Sequence, residues 1–445
     1  MTYTYDAAGY QTGMTDGTGT TTYGYNSAGE LTSVAEPTVG TVQYGYDAAG
    51  NRTSLTDPGG QAASLTYNSD GELTGAGYTG QTAAQYSYNA NGTLASETLP
   101  NGVTITYTYD ANDWVKSITV KAATSGSSFT WTYSHDNVGN ITGVAYTGSG
   151  STSFGNSANT TSSYGYNNDN ELTSATYSNG TTQSWGYNAL GERTSQTTSG
   201  TQVNYSYNNA MEMTAAGSNA YTYNADGQRT GATIGGSAVT YSYNAAGQMT
   251  GYSGPSGSAS YVYNGAGMRV SKTVNGTTTN YVLDETGSVP QILEGISGGS
   301  TTTYLYGAGL VGTESAAGAW TYPIVDAMGN TRYVTDSTGN ATTESYLYDA
   351  FGNVLSSSGT TPATFQFKNE QVDGVSGLQP MGARMYDPTT GVFLSPDPLT
   401  VGLPAGGYMV NPGSMYPYAF AGNNPITGSD PTGLFSARVN RKDLR

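Results

Sequence analysis

The chain has 445 residues, with 63 Gly, 39 Tyr, no Cys and one His, and only 10% of its residues are charged. The absence of Cys excludes disulfides and thiolate metal sites, and a single His excludes a multi-histidine metal site. The net charge of −17 argues against nucleic-acid binding, because an acidic surface repels a phosphate backbone.

The N-terminal segment, MTYTYDAAGYQTGM, begins inside a repeat that continues along the chain. It has neither the basic start nor the apolar stretch of a secretion signal. We therefore expect the chain to be N-terminally incomplete. No run of residues approaches the roughly 20 apolar residues of a membrane helix, so no membrane span is predicted.

The repeat has the pattern Tyr-x-Tyr-Asn/Asp-x-x-Gly. Its second tyrosine falls at positions 5, 25, 46, 67, 88 and 109, which gives a period of 20 or 21 residues. The period loosens over residues 110–163, returns between Tyr166 and Tyr263, and loosens again between Leu283 and Tyr348. The irregular parts predict longer loops on the same scaffold.

A step of about 21 residues fits one β-hairpin, with two strands of about seven residues and two turns. Tyr-x-Tyr places both rings on one face of a strand, and Asn or Asp followed by Gly is typical of turns. The sequence therefore predicts an all-β fold, a spiralling antiparallel sheet of hairpins that forms a hollow shell or barrel. We expect the rings of successive hairpins to stack into ladders. A carbohydrate-binding surface is the alternative role for these tyrosines.

The C-terminal part contains the ordered motifs ARMYDPTTGVFLSPDP and YPYAFAGNNPITGSDPTGLF. With the tyrosine repeats, these motifs resemble the RHS/YD-repeat family, which includes bacterial RHS toxins and Tc-toxin C components. The resemblance implies a YD-repeat β-shell over residues 1–345, an RHS repeat-associated core that plugs it over residues 346–434, and a residual tail over residues 435–445. It also implies a secreted or cell-surface protein. Its expected partners are its own C-terminal peptide or toxin cargo and other shell or secretion components.

The resemblance further implies that the core is an aspartyl autoprotease, which cuts its own chain once, between Leu434 and Phe435. Peptide hydrolysis by carboxylates needs two carboxyl groups that share one proton. Asp397 of the SPDP motif and Asp430 of the DPTGL motif are the candidates. By resemblance Arg384 completes the site, where a fixed cation would stabilise the carboxylates or the tetrahedral oxyanion.

The sequence departs from the family pattern in three places. Val392 replaces a basic residue, the stretch between Asp397 and Asp430 is longer than usual, and only residues 435–445 follow the predicted cut. A segment this short cannot form a toxin domain. We therefore expect the cargo to be absent, truncated or removed.

Each candidate residue also has a structural interpretation. Asp-Pro pairs often begin ordinary turns, Arg384 has an alternative as the ion-pair partner of Asp387, and Asp387 itself is interpreted as a turn residue. His135 is expected to be structural or at the surface. No phosphate-binding loop or nucleophile motif occurs, so we expect no cofactor and no metal. If the core only caps the shell, the chain is instead a non-enzymatic surface or adhesion module that binds carbohydrate or protein.

Overall fold

A computed structural model describes residues 1–150, 153–155, 159–287, 289–399, 416–434 and 437–438. Almost all regular structure in these residues is β-strand, and one sheet contains 34 strands. The strands of this sheet are β1 (Thr2–Tyr5), β2 (Gln11–Asp16), β3 (Gly19–Tyr25), β4 (Leu31–Glu36), β5 (Gly40–Tyr46), β6 (Arg52–Thr56), β7 (Ala62–Tyr67), β8 (Leu73–Tyr78), β9 (Ala84–Tyr88), β10 (Leu94–Thr98), β11 (Thr104–Tyr109), β12 (Val115–Lys121), β13 (Ser128–His135), β14 (Ile141–Ser149), β15 (Thr160–Tyr166), β16 (Leu172–Thr176), β17 (Thr182–Tyr187), β18 (Arg193–Thr198), β19 (Thr201–Tyr207), β20 (Met213–Ala216), β21 (Asn219–Tyr223), β22 (Arg229–Ile234), β23 (Ser237–Tyr243), β24 (Met249–Gly254), β25 (Gly257–Tyr263), β26 (Arg269–Val274), β27 (Thr277–Asp284), β28 (Gln291–Ser297), β29 (Ser300–Tyr306), β30 (Leu310–Glu314), β31 (Trp320–Val325), β32 (Thr331–Thr335), β33 (Thr342–Tyr348) and β34 (Val354–Ser358).

The large sheet is a meander, in which every strand pairs antiparallel with the next strand of the chain. The same order continues without a crossover to the end of the sheet. In the described residues β1 pairs only with β2 and β34 only with β33, so the sheet is open and does not close into a barrel. The predicted all-β hairpin array is confirmed. The strands β12–β15 continue the array through the stretch where the tyrosine period loosens, and the longer connection expected there, between Ser149 and Thr160, lies partly outside the described residues.

The turn between the two strands of a hairpin uses the chemistry that the repeat predicts. In the turn after β5, the Asp47 side chain accepts hydrogen bonds of 2.9 Å from the backbone nitrogens of Ala49 and Asn51. Gly50 closes the turn with a φ of 85°, a left-handed conformation that favours glycine. Asn or Asp therefore fixes the start of these turns, and their end is usually Gly, although Asp113, Asn170 and Met211 adopt the same left-handed conformation.

A β-bulge lies opposite the second tyrosine of the repeat. Tyr46 is paired with Arg52 while the preceding Gly45 is paired with Ser54, so Thr53 is an extra residue in β6. The same shift recurs in the hairpins that follow, for example at Tyr67 and Tyr263. Bulges bend a strand and increase its twist. Their repetition at one position of every hairpin allows the sheet to curve along its length.

The second tyrosines form a ladder of hydrogen bonds. Among the described residues, eight of these hydroxyls donate to a backbone carbonyl of the previous hairpin, as in the bonds from Tyr46 to Leu31 at 2.8 Å and from Tyr88 to Leu73 at 2.9 Å. The expected ring-on-ring stacking is wrong. Equivalent tyrosines of successive repeats lie two strands apart, about 9.6 Å, whereas ring pairs need centroid distances of about 4.5–7 Å.

Removing one rung of this ladder is expected to destabilise the sheet modestly. Tyr263→Phe removes the hydroxyl that donates to the Met249 carbonyl at 2.9 Å. We expect the free energy of unfolding to fall by about 0.5–1.5 kcal/mol, the usual net contribution of one hydrogen bond. Urea denaturation measures this change. Tyr5→Phe, at an exposed ring, is the control and should change stability by less than Tyr263→Phe.

The curved sheet winds back on itself, so that β5 lies beside β27 and β8 beside β29. We call the line of contact between residues 16–124 and residues 265–340 the seam. Arg52 forms an ion pair with Asp284 across the seam, and the Tyr78 hydroxyl donates to the Tyr304 carbonyl at 3.3 Å. Most of the contacts across the seam involve side chains, and the backbone hydrogen bond from the Ala123 nitrogen to the Gly339 carbonyl at 3.0 Å does not extend into a ladder.

The remaining elements form a small C-terminal module. Its strands and 3-10 helices are β35 (Gln379–Met381), β36 (Arg384–Asp387), β37 (Val392–Phe393), β38 (Gly428–Ser429), β39 (Ala437–Arg438), and the helices Phe367–Asn369 and Ala421–Asn423. Leu394, Tyr416 and Tyr418 of the module pack with Tyr241 and Met249 of the sheet in one buried cluster. The large sheet continues to residue 358, past the expected division at residues 345/346, and that division as a functional boundary stays a prediction. No helix in the described residues is long and apolar enough to span a bilayer.

Candidate active site

Three short strands bring the predicted site residues together. Arg384 begins β36, Asp397 follows β37, and Asp430 follows β38. Strands β36 and β37 pair through Tyr386 and Phe393, which places the start of β36 near the chain that leaves β37. Residues that are up to 46 positions apart in the sequence thus share one site.

The Arg384 guanidinium lies at the centre of this site. Its Nη2 lies 2.9 Å from Oδ2 of Asp430 and 3.4 Å from Oδ2 of Asp397. Its Nη1 donates to the Pro417 carbonyl at 3.0 Å, and the group lies 3.6 Å from the centroid of the Phe393 ring. Burial lowers the pKa of Arg384, and the two carboxylates oppose that shift. The cation is held in a fixed orientation by bonds and by stacking.

The two aspartates differ in their surroundings. Burial raises the pKa of Asp397, and the nearby charge of Asp430 adds to this, while Arg384 and the Leu399 backbone nitrogen oppose it. Asp430 is only 1% exposed, whereas the Asp397 side chain keeps 17% of its surface accessible. Asp397 therefore holds a proton more readily than an ordinary aspartate does, and it is the more exposed of the two side chains.

The segment that leads to the predicted cut packs directly on β36. The Ala383 nitrogen donates to the Thr432 carbonyl at 2.9 Å, and Nε of Arg384 donates to the Gly433 carbonyl. Gly433 has a φ of 64°, and a Cβ atom there would lie 2.9 Å from the backbone nitrogen of Arg384. Only glycine fits this position without moving the backbone.

The predicted cut itself is only partly covered by the structure. Leu434 is half-buried, and its nitrogen donates to the Thr432 hydroxyl at 3.3 Å. Phe435 and most of the tail lie outside the described residues, as does much of the long stretch between Asp397 and Asp430. The cut between Leu434 and Phe435 stays a prediction.

Comparison with known proteins fits this architecture. The model of the RHS repeat family matches residues 25–63, 46–84 and 88–125. The model of the Teneurin YD-shell family matches residues 149–426, which is more than half of the chain. The chain belongs to the Teneurin YD-shell family. The resemblance to RHS/YD-repeat proteins is confirmed, while no curated protein matches the chain.

Solved structures share the fold of this YD-shell chain. It superimposes on a chain of the TcdB2-TccC3 crystal structure with a TM-score of 0.76 at 19% identity, over 96% of the YD-shell chain and 25% of the other. It superimposes on a chain of the Photorhabdus luminescens Tc holotoxin pore with a TM-score of 0.72 at 18% identity, over 97% and 24%. The YD-shell chain thus spans about a quarter of the length of these chains.

The alternative role of Arg384, an ion pair with Asp387, is wrong for this YD-shell. Oδ2 of Asp387 instead accepts a 2.8 Å bond from Arg229 of β22, and its Oδ1 accepts a 3.0 Å bond from the Thr389 nitrogen. Asp387 is therefore a turn residue, as expected, and also an anchor between the module and the sheet. Arg384 is left to bind the two site aspartates.

Sequence reasoning missed a third carboxyl group near the site, Glu370, which follows the helix Phe367–Asn369. Burial and the charge of Asp430 raise the pKa of Glu370 to about 8. The neighbouring Lys368 is buried, donates from Nζ to the Met328 carbonyl at 2.8 Å, and has its pKa lowered by burial to about 7. No motif marks either residue, because their surroundings arise only in the folded module.

His135 lies at the end of β13, next to a turn. Its ring centroid is 5.4 Å from that of Trp114, and burial lowers its pKa. The half-buried ring packs between two neighbouring hairpins, far along the chain from the candidate site, in agreement with the structural role that the sequence predicts.

Proposed function

We propose that this YD-shell cuts its own chain between Leu434 and Phe435, by aspartyl autoproteolysis, and that the shell encloses the released segment. One observation carries the proposal: Arg384 binds Asp397, Asp430 and the carbonyl of Gly433, next to the predicted cut. Two carboxyl groups can act as the base and the acid in peptide hydrolysis, and a fixed cation can stabilise the oxyanion.

The proposed chemistry assigns a role to each side chain. The ionised carboxylate, Asp430, takes a proton from a water molecule, whose oxygen attacks the carbonyl carbon of Leu434. Arg384 stabilises the oxyanion that forms. The carboxyl group that holds its proton, Asp397, donates it to the nitrogen of Phe435 as the peptide bond breaks. The pair then holds one proton again, because two charged carboxylates this close are unfavourable.

Mass spectrometry of the intact purified chain tests the proposal. The wild type should lose residues 435–445, and Asp430→Asn and Asp397→Asn should each keep them. Asp373→Asn is the matched control, because Asp373 is a buried aspartate of the same module that pairs with Lys272 at 3.4 Å, and this variant should still be cut. Retention of the tail by folded wild type would contradict the proposal.

The rate of cleavage should fall as the pH rises through the pKa of Asp397. This group has to donate a proton, and burial raises its pKa, so the active range extends to higher pH than for an ordinary aspartate. Chains refolded from urea at a series of pH values, followed by intact mass, give the profile. A rate that climbs continuously from pH 4 to pH 8 would contradict the assignment of Asp397 as the acid.

Enclosure of cargo and secretion are further parts of the proposal. Structures of Tc holotoxin components share the fold, which supports a toxin or peptide as the partner of the shell. The module that precedes the predicted cut packs against the sheet through buried aromatic residues, which supports enclosure of the segment that follows. If the cut tail is enclosed, it should co-elute with the shell in size exclusion and separate from it only in denaturant.

A second candidate function, carbohydrate binding, is favoured by one cavity of about 410 Å³. It is lined by the rings of Trp131, Tyr164 and Tyr333 and by polar groups that include Ser162 and Asn179. Aromatic faces beside hydroxyl and amide groups suit a neutral sugar. A glycan array should then give signals that Tyr333→Ala removes, and an array without signals would exclude this candidate. Most of the second tyrosines of the repeat instead donate their hydroxyl hydrogen bonds to backbone carbonyls of the sheet.

A further inference from the structure

Two pairs of carboxyl groups meet across the seam. Glu36 at the end of β4 faces Glu285, which directly follows β27, and Asp57, which follows β6, faces Glu294 of β28. Both pairs join the two sides of the seam, residues 16–124 and residues 265–340. Two ionised carboxylates that face each other in a buried contact repel, so a proton shared within each pair would lower the electrostatic cost of the contact.

The hydrogen-bond pattern fits shared protons. Oε1 of Glu36, Oε1 of Glu285 and Oδ2 of Asp57 are buried and accept no bond from an N–H or hydroxyl donor. Asp57 is 3% exposed and Glu294 is 7% exposed, so water is largely excluded from the second pair. A proton on one carboxyl group of each pair supplies the missing donor. Metal ions do not offer another explanation, because no group of three His, Cys, Asp or Glu in the described residues could hold one.

The electrostatic surroundings reinforce this arrangement. Burial and the facing Glu36 raise the pKa of Glu285 to about 8, and burial and Asp57 raise that of Glu294 to about 7. Arg52, the cation beside the neighbouring Tyr44, is already paired with Asp284. The other titratable groups that face the two pairs are Asp16, Tyr23, Tyr25, Tyr44 and Tyr78, none of which is a cation.

We propose that the two carboxyl pairs make the seam a pH-dependent latch, closed while each pair holds a proton and loosened when the pairs lose it. This proposal goes beyond self-cleavage, because it concerns how the two sides of the seam separate. If the shell encloses the segment released by self-cleavage, an open seam would let that segment leave. Only this consequence depends on the proposed function.

The direction of the pH dependence follows from proton linkage. In the folded seam Glu285 and Glu294 keep their protons to pH values of about 8 and 7, whereas unfolded glutamates lose them near 4.5. The folded seam therefore binds more protons than the open state over this range, and its stability falls as pH rises. The contribution of the pairs is most favourable below about pH 4.5 and is lost by about pH 8.

Hydrogen exchange of the full chain, corrected for intrinsic rates, tests the latch. Amides of β5–β8 and β27–β29 should exchange at least about tenfold faster at pH 8.5 than at pH 6, while those of β21–β24 should not change. In the double variant Glu285→Gln with Glu294→Gln, the ratio should fall to about one, because an amide donates at any pH. Glu212→Gln, at a turn glutamate bonded to Asn208, should behave as wild type.

Two outcomes would overturn the proposal. One is a wild-type exchange ratio near one at the seam, and the other is a double variant that keeps the wild-type ratio. If the double variant does not fold, Glu36→Lys offers a second test, because a cation opposite Glu285 should hold that part of the seam closed at pH 8.5. The readout does not involve the tail, so failure of the latch and failure of self-cleavage are distinguishable.

Discussion

Replacing Arg229 by Met is expected to lower the free energy of unfolding by about 3–5 kcal/mol, the usual cost of removing one partner of a buried ion pair. Arg229 has no exposed surface, lies 4.3 Å from the centroid of the Tyr221 ring, and binds Asp387 at 2.8 Å. Without it, the carboxylate of Asp387 would be buried without a cation. Urea denaturation of wild type and variant measures the difference.

Two further variants make this prediction specific. Arg229→Met combined with Asp387→Asn should recover part of the lost stability, because the unpaired charge is gone. Lys116→Met, at an exposed lysine, should change stability by less than about 0.5 kcal/mol. If Arg229→Met lowers the free energy of unfolding by no more than Lys116→Met does, the ion pair of Arg229 and Asp387 does not anchor the module to the sheet.

The large sheet was predictable because its information is local. A Tyr-x-Tyr strand followed by an Asn/Asp-x-x-Gly turn specifies one hairpin, and repetition specifies an array, so chain order alone gives the order of strands. Even residues 110–163, where the tyrosine period loosens, keep the hairpins β12–β15. Strand pairing there depends on alternating burial, as in Trp131 and Tyr133 of β13, and does not need the full motif.

The curvature and the seam were not predictable in the same way. A bulge depends on which residues oppose each other, and the sequence does not state the register between strands. The seam joins residues about 230 positions apart, such as Arg52 and Asp284, and no short motif encodes such a distance. The ring ladder failed for a geometric reason, because hydroxyl groups reach the neighbouring hairpin and rings do not.

The candidate site also has some features that the sequence predicts and others that arise only in the folded chain. The motifs identified Arg384, Asp397 and Asp430, which the structure brings together. The sequence did not reveal that Arg229 would take Asp387, because the two lie 158 positions apart, nor that Glu370 would lie near Asp430. Motifs thus indicate which side chains meet, while the folded surroundings set their charge.

Replacing Gly433 by Ala is expected to slow release of the tail by about 10²-fold, the effect of misplacing a reacting group by about 1 Å. A Cβ atom at Gly433 would lie against the Met381 carbonyl oxygen and 2.9 Å from the Arg384 nitrogen, so the segment must move away from β36. Nε of Arg384 would then lose the Gly433 carbonyl, and the predicted scissile bond would shift relative to both aspartates. Intact mass over time after refolding measures the rate.

Variants of two other glycines in the same module show whether slower release comes from lost packing on β36 or from general destabilisation. Gly377 also has a positive φ, 72°, but a Cβ atom there meets nothing within 4 Å, so Gly377→Ala adds only backbone strain. Gly382 meets the Thr432 backbone from the opposite side of the contact, so Gly382→Ala should slow release as Gly433→Ala does. If Gly377→Ala were equally slow, general destabilisation of the module would explain the effect. If all three variants released the tail at the wild-type rate, close packing of residues 430–434 on β36 would have no part in the cut.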